Sequence, residues 1–170
     1  MTTIDRRDVV RGAFATSFLG LVGASVAMPG QALAAPTVSR ATVIDRAWFW
    51  MNNNVQYDQG ATYPGPGGTS RYRTDCSGFV SMCLMLPAPG PSTSSLNGYG
   101  AQISKANLRK GDYLNLPGVH CVLFHRWTDA AQTRFMLFEQ SNPSSDMNHR
   151  EAALSTYADY SARRAYNIVD

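Results

Sequence analysis

Residues 72–86 read YRTDCSGFVSMCLML. Polar Thr74-Asp75 stands in front of the apolar run and Pro87 behind it. This predicts a helix from Cys76 to Leu86, with Thr74 or Asp75 as its cap. A thiol at that start meets unpaired first-turn N–H groups and the positive end of the helix dipole, both of which favour thiolate. Ser77 and Gly78 sit in the same turn, and Gly78 leaves room for a substrate backbone to approach. Cys76 is therefore a candidate nucleophile. Cys83, about two helical turns further on along the same face, reads as a buried thiol.

A nucleophilic thiol needs a base within hydrogen-bond reach. The chain has three histidines, His120, His125 and His149. His120 opens a strand, HCVLFHRW (120–127), directly after the turn at Pro117-Gly118, a good place for a base facing a helix start. His125 has opposite parity on that strand and points to the other face. His149 falls in the polar stretch SSDMNHRE, read as a loop. A third group should orient the imidazole. The next strand, RFMLFEQS (134–141), offers Glu139 and Gln140. If the turn closes Thr128 opposite Thr133, Glu139 shares a face with His120, and a slip of one residue brings Gln140 there instead. Glu139 is preferred because a carboxylate also stabilises the imidazolium.

Around these residues the pattern is helix, loop, helix, then sheet. ATVIDRAWFWMNNNV (41–55) has helical spacing with Thr42 as a cap. Residues 56–74, rich in Gly, Pro and Tyr, read as a loop. Residues 92–108 look irregular, with one short helix. LRKGDYLNL, HCVLFHRW and RFMLFEQS form an antiparallel meander. The tail adds a short helix or loop, and RAYNIV a final strand. The fold class is α+β, with helices packed on one face of a small antiparallel sheet.

The first 34 residues have another logic. TIDRRDVVRG carries the pair Arg6-Arg7, GAFATSFLGLVGASVAM is weakly hydrophobic, and Ala32-Leu33-Ala34 fits a small-x-small cleavage site. That order is an export signal, and the paired arginines point to the twin-arginine route. The apolar run is too short and glycine-rich to remain as a membrane anchor. Residues 35–170 then form the exported domain, secreted or associated with the cell wall, with a net charge of +2. So small a balance gives no case for nucleic acid. The odd count of three cysteines leaves at least one thiol outside any disulfide. A Cys83–Cys121 bridge is disfavoured if the helix packs on the His120 face, since Cys121 points to the other. Cys121 and His125 lack a second ligand pair, so no metal is expected. Trp48, Trp50 and Trp127 read as packing, and Arg71 and Arg73 as a solvated loop.

TDCSGFVSMCL, followed by LRKGDYLNLPGVHCVLF and a strand with a polar residue, resembles the NlpC-type cell-wall cysteine peptidases over about residues 41–141. The resemblance implies a papain-like fold, Cys76 as nucleophile, His120 as base and Glu139 at the third polar position. It gives Tyr57 a part in shaping the site and its oxyanion hole, with the Cys76 N–H. It also implies a peptidoglycan or muropeptide substrate, a monomer and no cofactor. The chain departs from the family in its third residue, often His, in lacking Trp-Gly-Gly after the tyrosine, and in the strand beginning His-Cys-Val. Other uses of the scaffold are an acyltransferase or amidase on a non-wall substrate, or a secreted binding module without turnover.

Overall fold

The computed structural model describes residues 35–170. The expected export signal, residues 1–34, lies outside them. In chain order the elements are β1 (Val38–Ser39), α1 (Arg40–Asn52), β2 (Asp58–Pro64), β3 (Arg71–Thr74), α2 (Cys76–Cys83), α3 (Thr93–Leu96), β4 (Gly100–Ile103), β5 (Tyr113–Leu116), β6 (His120–Trp127), β7 (Arg134–Gln140), β8 (Met147–Ala153), β9 (Ser161–Ala165) and β10 (Ile168–Val169).

α1 buries Val43, Ile44, Ala47 and Trp50 along one stripe. Its cap is Ser39, not Thr42: the Ser39 hydroxyl accepts from the Thr42 N–H at 3.1 Å. α2 is capped by Asp75, whose carboxylate accepts from the Gly78 N–H at 2.6 Å. The apolar run suggested a helix to Leu86. It ends at Cys83, and Met85 takes a left-handed φ of 54°. Every α2 residue is buried, so α2 is a core helix without a polar face.

Residues 56–74 are not a loop. They hold a hairpin, β2 against β3, with Tyr63 opposite Tyr72. The turn carries Gly67 and Gly68, which take φ of 87° and 75°.

The main sheet has six strands in the order β4-β9-β5-β6-β7-β8, every neighbouring pair antiparallel. The expected meander is its centre, β5-β6-β7. The segment around His149, read as a loop, is β8. The expected final strand, RAYNIV, is split: its start closes β9 and its end is β10, which pairs separately with β1 in parallel.

Two apolar layers flank the sheet. One, including Val43, Trp50, Phe79, Met82, Cys121, Leu123 and Phe138, packs α1 and α2 against it. The other joins Leu114, Val122, Phe124, Phe135 and Leu137 to Tyr157 on the opposite face, with Leu154 and Tyr160 packed alongside. The α-helices thus cover one face, as the pattern predicted, but it is the Cys121 face; the other carries the short 3-10 turn Leu154–Tyr157. His120 has the parity of Val122 and Phe124. The expectation that α2 packs on the His120 face is corrected accordingly, and Cys121 lies in the same layer as Cys76 and Cys83. All three cysteines are free.

Candidate active site

Cys76 is the first residue of α2, 8% exposed. Three neighbours converge there. Asp75 caps the helix. Arg73 grips the cap, its Nε donating to Asp75 Oδ2 at 2.8 Å and its Nη2 to the Ser77 hydroxyl at 3.0 Å. Ser77 donates in turn to Asp75 Oδ1 at 3.0 Å. Arg73, read as a solvated loop residue, is therefore part of a clamp, and Ser77 is engaged within the same clamp. Gly78 is confined by its surroundings, since a Cβ there would stand 2.0 Å from the Arg73 carbonyl oxygen. The close approach it permits is that of β3, not of a substrate. The N–H groups of Cys76 and Ser77 have no acceptor among the described residues. Both are first-turn donors suited to an oxyanion.

His120 opens β6 and its imidazole reaches Cys76 from the sheet. Its Nε2 is 2.9 Å from Glu139 Oε2, which leaves Nδ1 for the thiol. Glu139 is 2% exposed, and its other oxygen accepts from Arg150 Nε at 2.6 Å. Arg150 Nη2 donates to the Tyr157 hydroxyl at 3.1 Å. A hydrogen-bonded chain, His120, Glu139, Arg150, Tyr157, therefore runs from beside Cys76 onto the sheet face away from the α-helices. Gln140 is not part of it: buried on the helix side, it donates from Nε2 to the Val55 carbonyl at 2.9 Å. The register that separates the two is Leu123 opposite Phe138. Nearer the turn the pairing slips by one residue, Arg126 opposite Met136, and a bulge at His125 absorbs the slip.

The charges follow the contacts. Cys76 is lowered to about 5, first by the hydrogen bond of the Cys121 thiol, then by the hydrogen bond and charge of His120; burial opposes both. For His120 burial is the largest influence and pulls downward. The hydrogen bonds and charges of Cys76 and Glu139 outweigh it and lift the imidazole to about 9. Burial pushes Glu139 up, but His120 and Arg150 outweigh it and hold the carboxyl below the usual carboxylate range. Cys121 is raised by burial and by Cys76, so it remains a thiol and can donate S–H. Cys83 is raised by burial, which outweighs the nearby Arg46 charge, as befits a packing thiol.

Tyr57 precedes β2, which pairs Asp58 with Thr74, so its backbone runs beside the α2 cap. Its N–H donates to Asp146 Oδ1 at 2.9 Å and its hydroxyl accepts from Gln59 at 3.0 Å. No hydrogen bond among the described residues joins it to Cys76 or His120. His125 and His149 lie on the helix face, 3.0 Å apart, against Phe138. No cluster of three metal-ligating side chains exists among the described residues.

Sequence reasoning missed Cys121, Arg150 and Tyr157. Cys121 was rightly set on the face opposite His120, but α2 was placed on the His120 face, because the parity of a strand does not say which face a helix will cover. Arg150 and Tyr157 lie in MNHREAALSTY, where no chemical motif marks them.

No protein-family model and no curated protein matches the chain. Among solved structures it is similar to that of the peptidoglycan hydrolase RipB from Mycobacterium tuberculosis. The identity is 18%, the TM-score 0.50, and the likeness covers 74% of this chain. It spans 63% of the length of the RipB chain. The likeness is one of fold.

Proposed function

We propose that the protein is an exported, papain-like cysteine peptidase or amidase that hydrolyses amide bonds in peptidoglycan stem peptides. The observation that carries the reading is the Cys76 thiol at a helix start, facing an imidazole whose far nitrogen is 2.9 Å from a buried carboxylate. The fold shared with a peptidoglycan hydrolase supports the substrate class.

The Cys76 thiolate adds to the scissile carbonyl, whose oxygen takes the negative charge at the Cys76 and Ser77 N–H groups. The C–N bond then breaks and the amine leaves with the proton of His120 Nδ1. Neutral His120 next removes a proton from water, which attacks the thioester. Collapse releases the acid and restores thiolate and imidazolium. Glu139 keeps the ring oriented and favours its charged form throughout.

The Cys76→Ala protein is expected to release soluble muropeptides from purified peptidoglycan at least about a thousandfold more slowly than wild type. Unchanged release in that variant overturns the reading. Product masses in the presence of an added amine separate hydrolysis from acyl transfer.

A further inference from the structure

A cleft of about 370 Å³ opens beside His120 on the sheet face away from the α-helices, where the 3-10 turn Leu154–Tyr157 supplies Thr156 and Tyr157 to its lining. Its walls include Val119, His120, Ser141, Arg150, Thr156 and Tyr160, while Cys76 is absent from them. That asymmetry has a chemical meaning if the enzyme is a cysteine peptidase. The acyl group is bonded to Cys76. The leaving amine takes its proton from His120, so atoms beyond the amine extend past the imidazole into this cleft.

The cleft has one uncommitted charge. Glu139 is its only acidic wall residue, and both Glu139 oxygens are occupied, by His120 and by Arg150. Arg150 uses Nε for Glu139 and Nη2 for Tyr157. A guanidinium has five N–H groups, and its planar fork suits a carboxylate. The remaining Arg150 N–H groups have no partner among the described residues, and the side chain is 47% exposed. The hydroxyls of Ser141, Thr156 and Tyr160 add neutral donors around it. Glu139 and Tyr157 fix the guanidinium in place, which lowers the entropy cost of receiving a ligand.

We propose that this cleft is a subsite for a carboxylate carried by the leaving amine, and that Arg150 recognises it. The preferred scissile bond then lies on the amino side of a residue that presents a free carboxylate. This rests on the peptidase reading and adds a selectivity which that reading does not require. Arg150 acts in two ways, orienting Glu139 and selecting substrate. Its loss of orientation slows all substrates alike, whereas loss of selection changes their ratio.

The probes are two stem-peptide fragments with the same acyl part. One releases an amino acid with a free α-carboxylate, the other the same amino acid as its primary amide. Wild type is expected to favour the acid by about tenfold or more in kcat/KM, the range of a charged hydrogen bond. Arg150→Gln is expected to slow both and bring the ratio close to unity, and Arg150→Lys to restore much of the preference. Titration calorimetry of both fragments into the Cys76→Ala protein reads the same preference without turnover. Equal rates in wild type with Cys76-dependent cleavage overturn the subsite and leave the peptidase standing. So does a preference that survives in Arg150→Gln, and so does equal affinity in the calorimeter. Cleavage that persists in Cys76→Ala brings down the peptidase reading itself.

Discussion

At neutral pH Cys76 and His120 form an ion pair, because the thiol titrates near 5 and the imidazole near 9. The proposed peptidase chemistry needs thiolate and imidazolium together. It is therefore expected to rise as pH passes about 5, hold a plateau, and fall as pH passes about 9, with the two limbs belonging to the coupled pair. A kcat/KM profile on a muropeptide reads both limbs, and a single limb near neutrality contradicts the ion pair. Cys121 supplies the largest stabilisation of the thiolate. Cys121→Ala is thus expected to move the acid limb to higher pH and leave the alkaline limb in place, while Cys121→Ser, which keeps a donor, moves it less. Iodoacetamide trapping against pH measures the same shift. An unmoved acid limb in Cys121→Ala contradicts the role. The sequence carries Cys76 and His120 openly because a capped helix start and a strand start are local signals. It hides Cys121 and Arg150 because their partners are set by which sheet face α2 and the Tyr157 segment cover.

At the scale of elements, the crossing of α2 over β3 determines where the thiol sits. Only glycine fits at Gly78, since any Cβ meets the Arg73 backbone at 2.0 Å. Gly78→Ala is expected to destabilise the protein by about 3 kcal/mol, at the upper end of overpacking costs, because the obstacle is backbone. It should also slow Cys76 alkylation by tilting the helix start away from His120. Denaturation midpoints and alkylation rates check the two effects; wild-type values for both contradict the crossing. The helices and the central strands β5, β6 and β7 were legible because their apolar spacing is strong. The hairpin β2–β3 was not, since the glycines and prolines around its turn dominate a short segment. β8 and β9 read MNHREAA and SARRA, whose polar side chains give little alternation to recognise. They are strands because neighbouring strands offer them hydrogen-bonding edges, a tertiary cause that local propensity does not contain.

For the whole molecule the organising charge is Asp112, fully buried in the turn before β5. It accepts from Arg40 of α1 at 3.0 Å and from Arg164 of β9 at 2.8 Å, and it caps the Arg109 N–H at 2.9 Å. Arg40 continues to Asp170 at 2.6 Å. One carboxylate therefore ties the first helix to the sheet, and Arg40 ties both to the last residue described. Asp112→Ala leaves two arginines facing a buried vacancy and is expected to cost about 3–5 kcal/mol, the scale for breaking a buried pair from one side. Urea denaturation checks it, and a loss below about 1 kcal/mol contradicts the central role. The Gly111-Asp112 turn, within the stretch LRKGDYLNL, is in this sense a rivet of the fold. The pairing of β1 with β10 completes the circuit: the Val38 N–H donates to the Asn167 carbonyl at 2.9 Å across nearly the whole described chain. A contact that closes so long a loop gains little until the core has formed. The two ends of the domain should accordingly zip together late in folding, and the Val38 amide should exchange with deuterium well before those of the sheet it closes.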